Sequence, residues 1–599
     1  MLMGSTRRAL GTVMVALTVL GSAGVAFATQ KFGPFEISGN LQSQELVRHP
    51  DWDQYQFIQQ RNTARIRVDW AWVQRGGKWL DRFDVSDLIS ESHLFLLYRG
   101  VYDSVYDYTP DVTTKREFTG EKVDPRFNDL SDFNKGARDA FKFESVLREA
   151  YVDIKFRGPL SGFSLRAGRQ QIIWGESDGF RLLDRVNNLD LSWHFQQELP
   201  PPGFGFDDLR IPFWMFKGLY DFGSLGSWSN VFAEGYWNPG DWYPNKVTFL
   251  PAPWGVKLGN PLTNPRSGAF NIFHSVRLMH GTKLFRQGNY SRNPIENSQG
   301  GIRFNGVTGS ETPVLPEGMQ MQLGFIYQRF SGGGGAMTEA AVAKGIKPTE
   351  AGNTRTQDLI QRRTLPVEFY TPYIPTIGTA ANYFDEHTKV VWRAESTYDF
   401  GIPFYSCGHS PGAIAARSAR GEQSCVRETT FAPFLPGIRK QDVWSGLIAW
   451  DRPTWIRPLN KKTTFFLTGQ FFFTYMVNKA KSTIGGLDLP TTTKPLNQSP
   501  PIAYRDDVHR WEMLTTFAIL GFYRGGSVVP SMVYLLDPVN SYSQEVVWGV
   551  DYFVTPNFGV NLAQRFIINP TKEINFEPWG LGGLNRGRSE TGLRLTYQF

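Results

Sequence analysis

With only two cysteines in 599 residues, the chain is no disulfide-dense scaffold. Beyond residue 28 no apolar run is long enough for a transmembrane helix, which excludes a helical membrane protein. The eight histidines are scattered at positions His49, His93, His194, His274, His280, His387, His409 and His509, none in a G-x-S-x-G or H-E-x-x-H setting. An outer-surface hydrolase therefore has no visible centre, and neither a cofactor nor a metal is expected. A formal net charge of +7 is too modest to argue for nucleic-acid binding. Cys407 and Cys425 are expected to pair in an oxidising compartment, closing a loop worth roughly 3 kcal/mol in the chain-entropy model. Free thiols or a metal pair are the alternative, although the neighbouring residues form no recognisable zinc site.

Aromatic residues are plentiful instead. They make up 15% of the chain, with 18 Trp, 23 Tyr and 46 Phe, more than one soluble core needs and suited to two interfacial girdles. Residues 1–28 carry Arg7 and Arg8, an uncharged apolar run and an Ala26-Phe27-Ala28 ending, the three parts of a secretory signal; an uncleaved anchor is the alternative. At the other end, Leu593, Leu595, Tyr597 and Phe599 alternate with Arg594, Thr596 and Gln598. A strand greasy on one face and polar on the other is what crossing a bilayer in a closed sheet requires, and such a strand escapes hydropathy detection. This ending resembles the closing strand of a bacterial outer-membrane β-barrel, which implies recognition by the barrel-assembly machinery through Phe599. The other reading is the edge strand of a soluble β domain.

The expected architecture is an all-β transmembrane antiparallel barrel over residues 29–599 with long extracellular loops. A first strand from Phe35 to Leu41 leaves no room for a plug domain. Alternation recurs from Ala64 to Trp72 and in segments down to Phe558–Asn569. Short turns such as Gly158-Pro159-Leu160-Ser161 and Gly525-Gly526 alternate with long connections, as periplasmic turns alternate with external loops. By this parity the segments Met319–Phe330 and Val390–Phe400 both run outward, so a descending strand must lie between them. Ile374–Phe384 is the candidate, giving 18 strands, with 16 as the alternative. Residues 401–441, holding both cysteines, are expected to form a stapled external loop.

The densest stretch is GRQQIIWGESDGFRLLDRVNNLDLSWHF, Gly168 to Phe195, preceded by LREAYVDIKF and followed by GDWYP (Gly240–Pro244) and LPAPWG (Leu250–Gly255). Together these resemble a family of large, signal-bearing proteobacterial outer-membrane proteins catalogued as domain of unknown function 1302. The resemblance implies a barrel in the outer membrane, in contact with its lipid and lipopolysaccharide. It also implies an inner-membrane transporter as partner and hydrophobic compounds as cargo. The Gly168-Arg169-Gln170 triplet is similar to a strand ending in alginate-export and porin-like barrels.

Strand parity turns Arg65, Arg67, Asp69, Glu149, Asp153, Lys155, Arg166 and Gln170 toward the lumen. The following loop carries Glu176, Asp178, Arg181, Asp184, Arg185 and Asp190 among five aliphatic residues. A water-exposed loop has little use for those aliphatics, so 175–199 is expected to fold into the lumen as a constriction, its charges pairing with the lumen residues. Packing over the barrel mouth is the alternative. Trp193, Phe195, Phe204, Phe206, Trp214, Trp242 and Trp254 add an aromatic surface for apolar or sugar-like cargo, or simply pack the loops together. The functional expectation is a channel for hydrophobic or amphipathic compounds working with an inner-membrane partner. A general or anion-leaning diffusion porin is the alternative, and a structural or adhesive barrel or an enzyme comes after it.

Overall fold

The computed structural model describes residues 29–49, 55–73, 88–108, 142–177, 181–190, 208–242, 297–312, 314–330, 343–345, 367–369, 372–406, 437–478, 483–484, 510–539, 542–568 and 589–599. The candidate signal at 1–28 and both cysteines lie outside them.

Eighteen strands form the wall. They are β1 (Phe35–Arg48), β2 (Gln56–Val73), β3 (Ile89–Asp103), β4 (Phe143–Phe156), β5 (Phe163–Gln170) and β6 (Phe213–Leu225). Next come β7 (Trp228–Asn238), β8 (Gln299–Thr308), β9 (Gln320–Arg329), β10 (Tyr373–Asp385), β11 (Val390–Ser406) and β12 (Gly437–Thr454). The last six are β13 (Phe465–Met476), β14 (Trp511–Leu520), β15 (Val528–Asp537), β16 (Ser543–Phe553), β17 (Phe558–Ile568) and β18 (Glu590–Gln598). Each pairs antiparallel with its sequence neighbours, and β1 pairs β18 from Asn40↔Gln598 to Arg48↔Glu590, closing the sheet on itself. The strand inferred from parity is β10, which settles the count at 18 rather than 16.

Closure leaves the sheet no unpaired first or last strand, which is why it can sit in hydrocarbon at all. At the join, the Gly39 N–H donates to the Phe599 carbonyl at 2.8 Å. The Phe599 ring lies over Gly39, so near that a Cβ there would come within 2.7 Å of it, and the terminal aromatic covers the bare backbone.

The alternation reads directly as two faces. On β9, Leu323, Phe325 and Tyr327 are 57%, 44% and 44% exposed, while Gln322, Ile326 and Gln328 are 7%, 0% and 6% exposed. The outward set belongs to the lipid-facing band. The inward set is covered by something within the barrel, since side chains facing a water-filled lumen would be wet.

The stretch expected as an external loop at 401–441 is shorter than that. β11 runs on to Ser406 and β12 begins at Gly437, across a bulge between Asp399 and Ile402, so the pair extends past the point where Gly401 suggested a break. Gly401 at φ +77° is part of that bulge and does not end the strand. Residues 407–436 lie outside the described set.

Candidate functional site

What covers the inward faces is the chain after β5. Past Gln170 it leaves the wall, and Ile172, Trp174, Leu183 and Val186 are buried in one cluster with Ile211, Phe213, Met215, Tyr236, Ile326 and Ala380. Ile211 stands just before β6, and the other partners sit on the inward faces of β6, β7, β9 and β10. Leu182 reaches further, packing in a cluster with Leu447 and Ala449 of β12, Phe472 of β13 and Leu514 of β14. In a ring of eighteen strands β14 stands nine places from β5, so the segment traverses the barrel from one wall to the opposite one.

Polar contacts bolt it there. Both oxygens of Glu395 on β11 accept backbone N–H groups of the segment, from Glu176 at 2.6 Å and from Leu183 at 2.5 Å. Arg393 donates to the Glu176 carbonyl at 2.7 Å. Arg185 donates to Asp399 at 2.5 Å, and Gln328 donates to the Arg185 carbonyl at 2.8 Å. On the near side Trp174 donates its indole N–H to Glu234 at 2.6 Å, while Lys217 and Arg303 flank the same carboxylate at 3.4 and 3.2 Å. Backbones approach closely beneath it: a Cβ on Gly378 would meet Leu183 Cδ2 at 2.3 Å, and one on Gly301 would meet the Trp174 ring at 3.1 Å.

Within the segment, Asn187 does the work of a backbone ladder. It accepts the Ile172 N–H at 2.7 Å and donates to the carbonyls of Gln170 and Ile211 at 3.1 and 2.9 Å. Leu189 bridges Arg210, which donates to Asp184 at 2.5 Å. Burial lowers the Arg181 guanidinium below its ordinary value despite the Asp184 carboxylate beside it. Burial would raise Asp208, but Arg65, Arg99 and Arg148 outweigh it and hold that carboxyl well below the usual range.

Among the described residues, the charged side chains expected to line the lumen are paired largely along the wall. Arg166 pairs with Asp153 at 2.6 Å, Lys155 with Glu91 at 2.7 Å, and Arg67 with Asp69 at 3.7 Å, all along the wall. Arg65 pairs with Asp208, Glu149 accepts from Gln171 at 3.0 Å, and Gln170 donates to the Met215 carbonyl at 2.8 Å. Within the segment Arg185 reaches Asp399 on the far wall, while Asp184 takes Arg181 and, just before β6, Arg210. Asp190 holds its backbone against Leu209, with its N–H donating at 2.7 Å.

Two of the expected loop aromatics are placed by the described residues. Trp242 is buried in the same cluster as Trp174. Trp214 is corrected: it lies within β6, paired with Arg169 on the outward face and 54% exposed, where it belongs to the lipid-facing band and not to a loop. At a strand end, girdle and loop aromatics look alike in sequence. Asp178, Trp193, Phe195, Phe204, Phe206 and Trp254 lie outside the described residues. The sequence reading missed Glu395, Asp399, Glu234, Arg303 and Arg393, which hold the segment from strands far along the chain. Their inward parity was a signal, but every barrel strand has inward polar residues.

No curated protein matches the chain. Among solved structures it is similar to OccK9 (OpdG) of Pseudomonas aeruginosa, at 9% identity over 94% of this chain and 98% of that one with a TM-score of 0.39. It is also similar to a BenF-like porin from Pseudomonas fluorescens Pf-5, at 8% identity over 94% and 98% with a TM-score of 0.40. OccK2 (OpdF) of Pseudomonas aeruginosa in complex with glucuronate is a further match, at 8% identity over 96% and 99% with a TM-score of 0.40. Over residues 9–569 the sequence fits the family model described as protein of unknown function DUF1302, and the chain belongs to that family.

Proposed function

We propose that the protein is an outer-membrane channel whose lumen is constricted by 175–199, and that it passes hydrophobic or amphipathic compounds in place of small ions and sugars at large. The observation that carries this reading is the apolar content of the crossing segment, with Ile172, Trp174, Leu182, Leu183 and Val186 buried between opposite walls. A general diffusion pore keeps a hydrated eyelet lined by charge; here charge serves to fasten a greasy partition. Carboxylates and guanidiniums that could form a transverse field are spent on Glu395, Asp399 and Glu234 contacts to the segment or to each other.

Export by the signal at residues 1–28, insertion through the strand ending at Phe599, a loop stapled by Cys407 and Cys425, and an inner-membrane transporter as partner belong to the same proposal.

The test is transfer of a fluorescent hydrophobic probe between leaflets and lumen in proteoliposomes, measured beside efflux of a small sugar. Faster probe transfer than protein-free vesicles with slow sugar efflux is expected. Rapid sugar efflux with no gain in probe transfer would instead mark a general porin.

A further inference from the structure

β5 is the shortest strand of the wall, with 8 residues, and its ladder to β4 ends at Ala150↔Arg169. β4 continues outward from Glu149 to Phe143, paired to β3 on one side and, among the described residues, to no strand on the other. β6 starts level with the end of β5, at Phe213↔Gln170. The cause is local. Gly168 takes φ +139° and sits so near β4 that a Cβ would meet the Ala150 carbonyl at 2.3 Å. Two residues later the chain turns inward, burying Ile172 and Trp174 in the lumen.

Side chains close the resulting seam. Arg169 is on the outward face, in register with exposed Trp214, and donates from Nη1 to the Leu147 carbonyl at 3.1 Å and from Nε to the Pro212 carbonyl at 3.2 Å. From the inward side Arg148 donates to the carbonyls of Asp208 at 2.8 Å and Arg210 at 2.9 Å. The β1–β2 and β11–β12 pairs, by contrast, are held by long backbone ladders with one register shift each. Guanidinium contacts to carbonyls are fewer, and they open by side-chain rotation without unzipping a sheet. Exposed apolar side chains line the outward rim: Phe143 at 50%, Leu147 at 45% and Trp214 at 54%.

We infer that the seam between β4 and β6, above the end of β5, is a lateral doorway for an anionic single-chain amphiphile. The hydrocarbon tail slides over Leu147 and Trp214 into the outer leaflet while the headgroup passes Arg169 and Arg148. An anionic headgroup is selected because it can replace the carbonyl partners of two guanidiniums, which a cationic one cannot do. This rests on the proposed transport of amphiphiles and specifies where they enter or leave the lumen.

The test uses the full-length protein in proteoliposomes with two fluorescent dodecyl probes, one carboxylate-headed and one ammonium-headed. A Leu147→Cys/Pro212→Cys variant is closed across the seam with a short bifunctional, reducible thiol reagent, and wild type receives the same treatment. Closing the seam should slow carboxylate-probe transfer by about tenfold and reduction should restore it, with wild type unaffected and preferring the carboxylate over the ammonium probe. Transfer at the wild-type rate through the closed seam overturns the doorway but leaves amphiphile transport standing. If wild type moves neither probe, transport itself fails and the doorway with it. Should the cysteine pair not fold, a benzophenone side chain at Leu147 is compared with one at outward-facing Ile448. Labelling by the carboxylate probe should be about threefold higher at Leu147, and equal labelling counts against the doorway.

Discussion

Glu395 is the most exposed point of the account to experiment, because one carboxylate holds two distant points of the crossing segment. Its oxygens accept the N–H groups of Glu176 and Leu183 at 2.6 and 2.5 Å, and Leu183 is fully buried. Glu395→Ala removes this acceptor from the buried Leu183 donor and from the part-buried Glu176 donor. Each such loss costs about 1–3 kcal/mol, so the docked arc from 176 to 183 should weaken by about 2–6 kcal/mol. The segment would not leave altogether, since the Arg185 contact to Asp399 and the Arg393 contact to the Glu176 carbonyl remain. Hydrogen exchange reads the effect locally. At the Leu183 and Glu176 amides the exchange rate should rise by about 30-fold to 10⁴-fold, with no matching rise in the β14–β17 wall strands. Glu395→Gln keeps one acceptor and should fall between. Unchanged exchange at both amides in Glu395→Ala would refute the claim that this residue fastens the segment.

Asp208, held down by Arg65, Arg99 and Arg148, gives a pH-dependent case. A depressed carboxyl contributes stability above its unfolded value near 3.9 and loses it as pH falls through the folded value. Asp208→Asn should therefore cost about 1–2 kcal/mol between pH 5 and 8, and the gap to wild type should narrow only below about pH 4. Thermal unfolding in detergent across that range checks the sign, and a gap that widens in acid contradicts it. At the barrel's closing join, Arg48 and Glu590 are 1% and 3% exposed and paired. Glu590→Ala strands a buried guanidinium and should cost about 3–5 kcal/mol. That loss should appear as a lower temperature for the shift between folded and unfolded bands on a semi-native gel, and an unchanged temperature would mean that this pair does not hold the join.

The wall was legible because a lipid-facing strand has to alternate and because an all-antiparallel closed sheet has to hold an even number of strands. The same two constraints located β10, whose Tyr373–Asp385 span contains no strong signal beyond Ile374, Ile377 and Phe384. The aliphatics among the charges of Leu182 to Leu191 also pointed inward, since a loop in water would not need them. What could not be read was the destination. Alternation tells which face a residue occupies but not its height or which distant strand stands opposite, so Arg185 gave no hint of Asp399, 214 positions later. Nor could sequence separate Trp214 in the lipid band from Trp242 in the lumen cluster, since both stand beside the same loops.

The central claim is that a fastened apolar segment, and not an open eyelet, governs passage through this barrel. Single-channel conductance in planar bilayers, wild type against a variant lacking residues 175–199, measures it most directly. The account predicts a small wild-type conductance that rises by about threefold or more on deletion. Equal conductances from two folded barrels would contradict it.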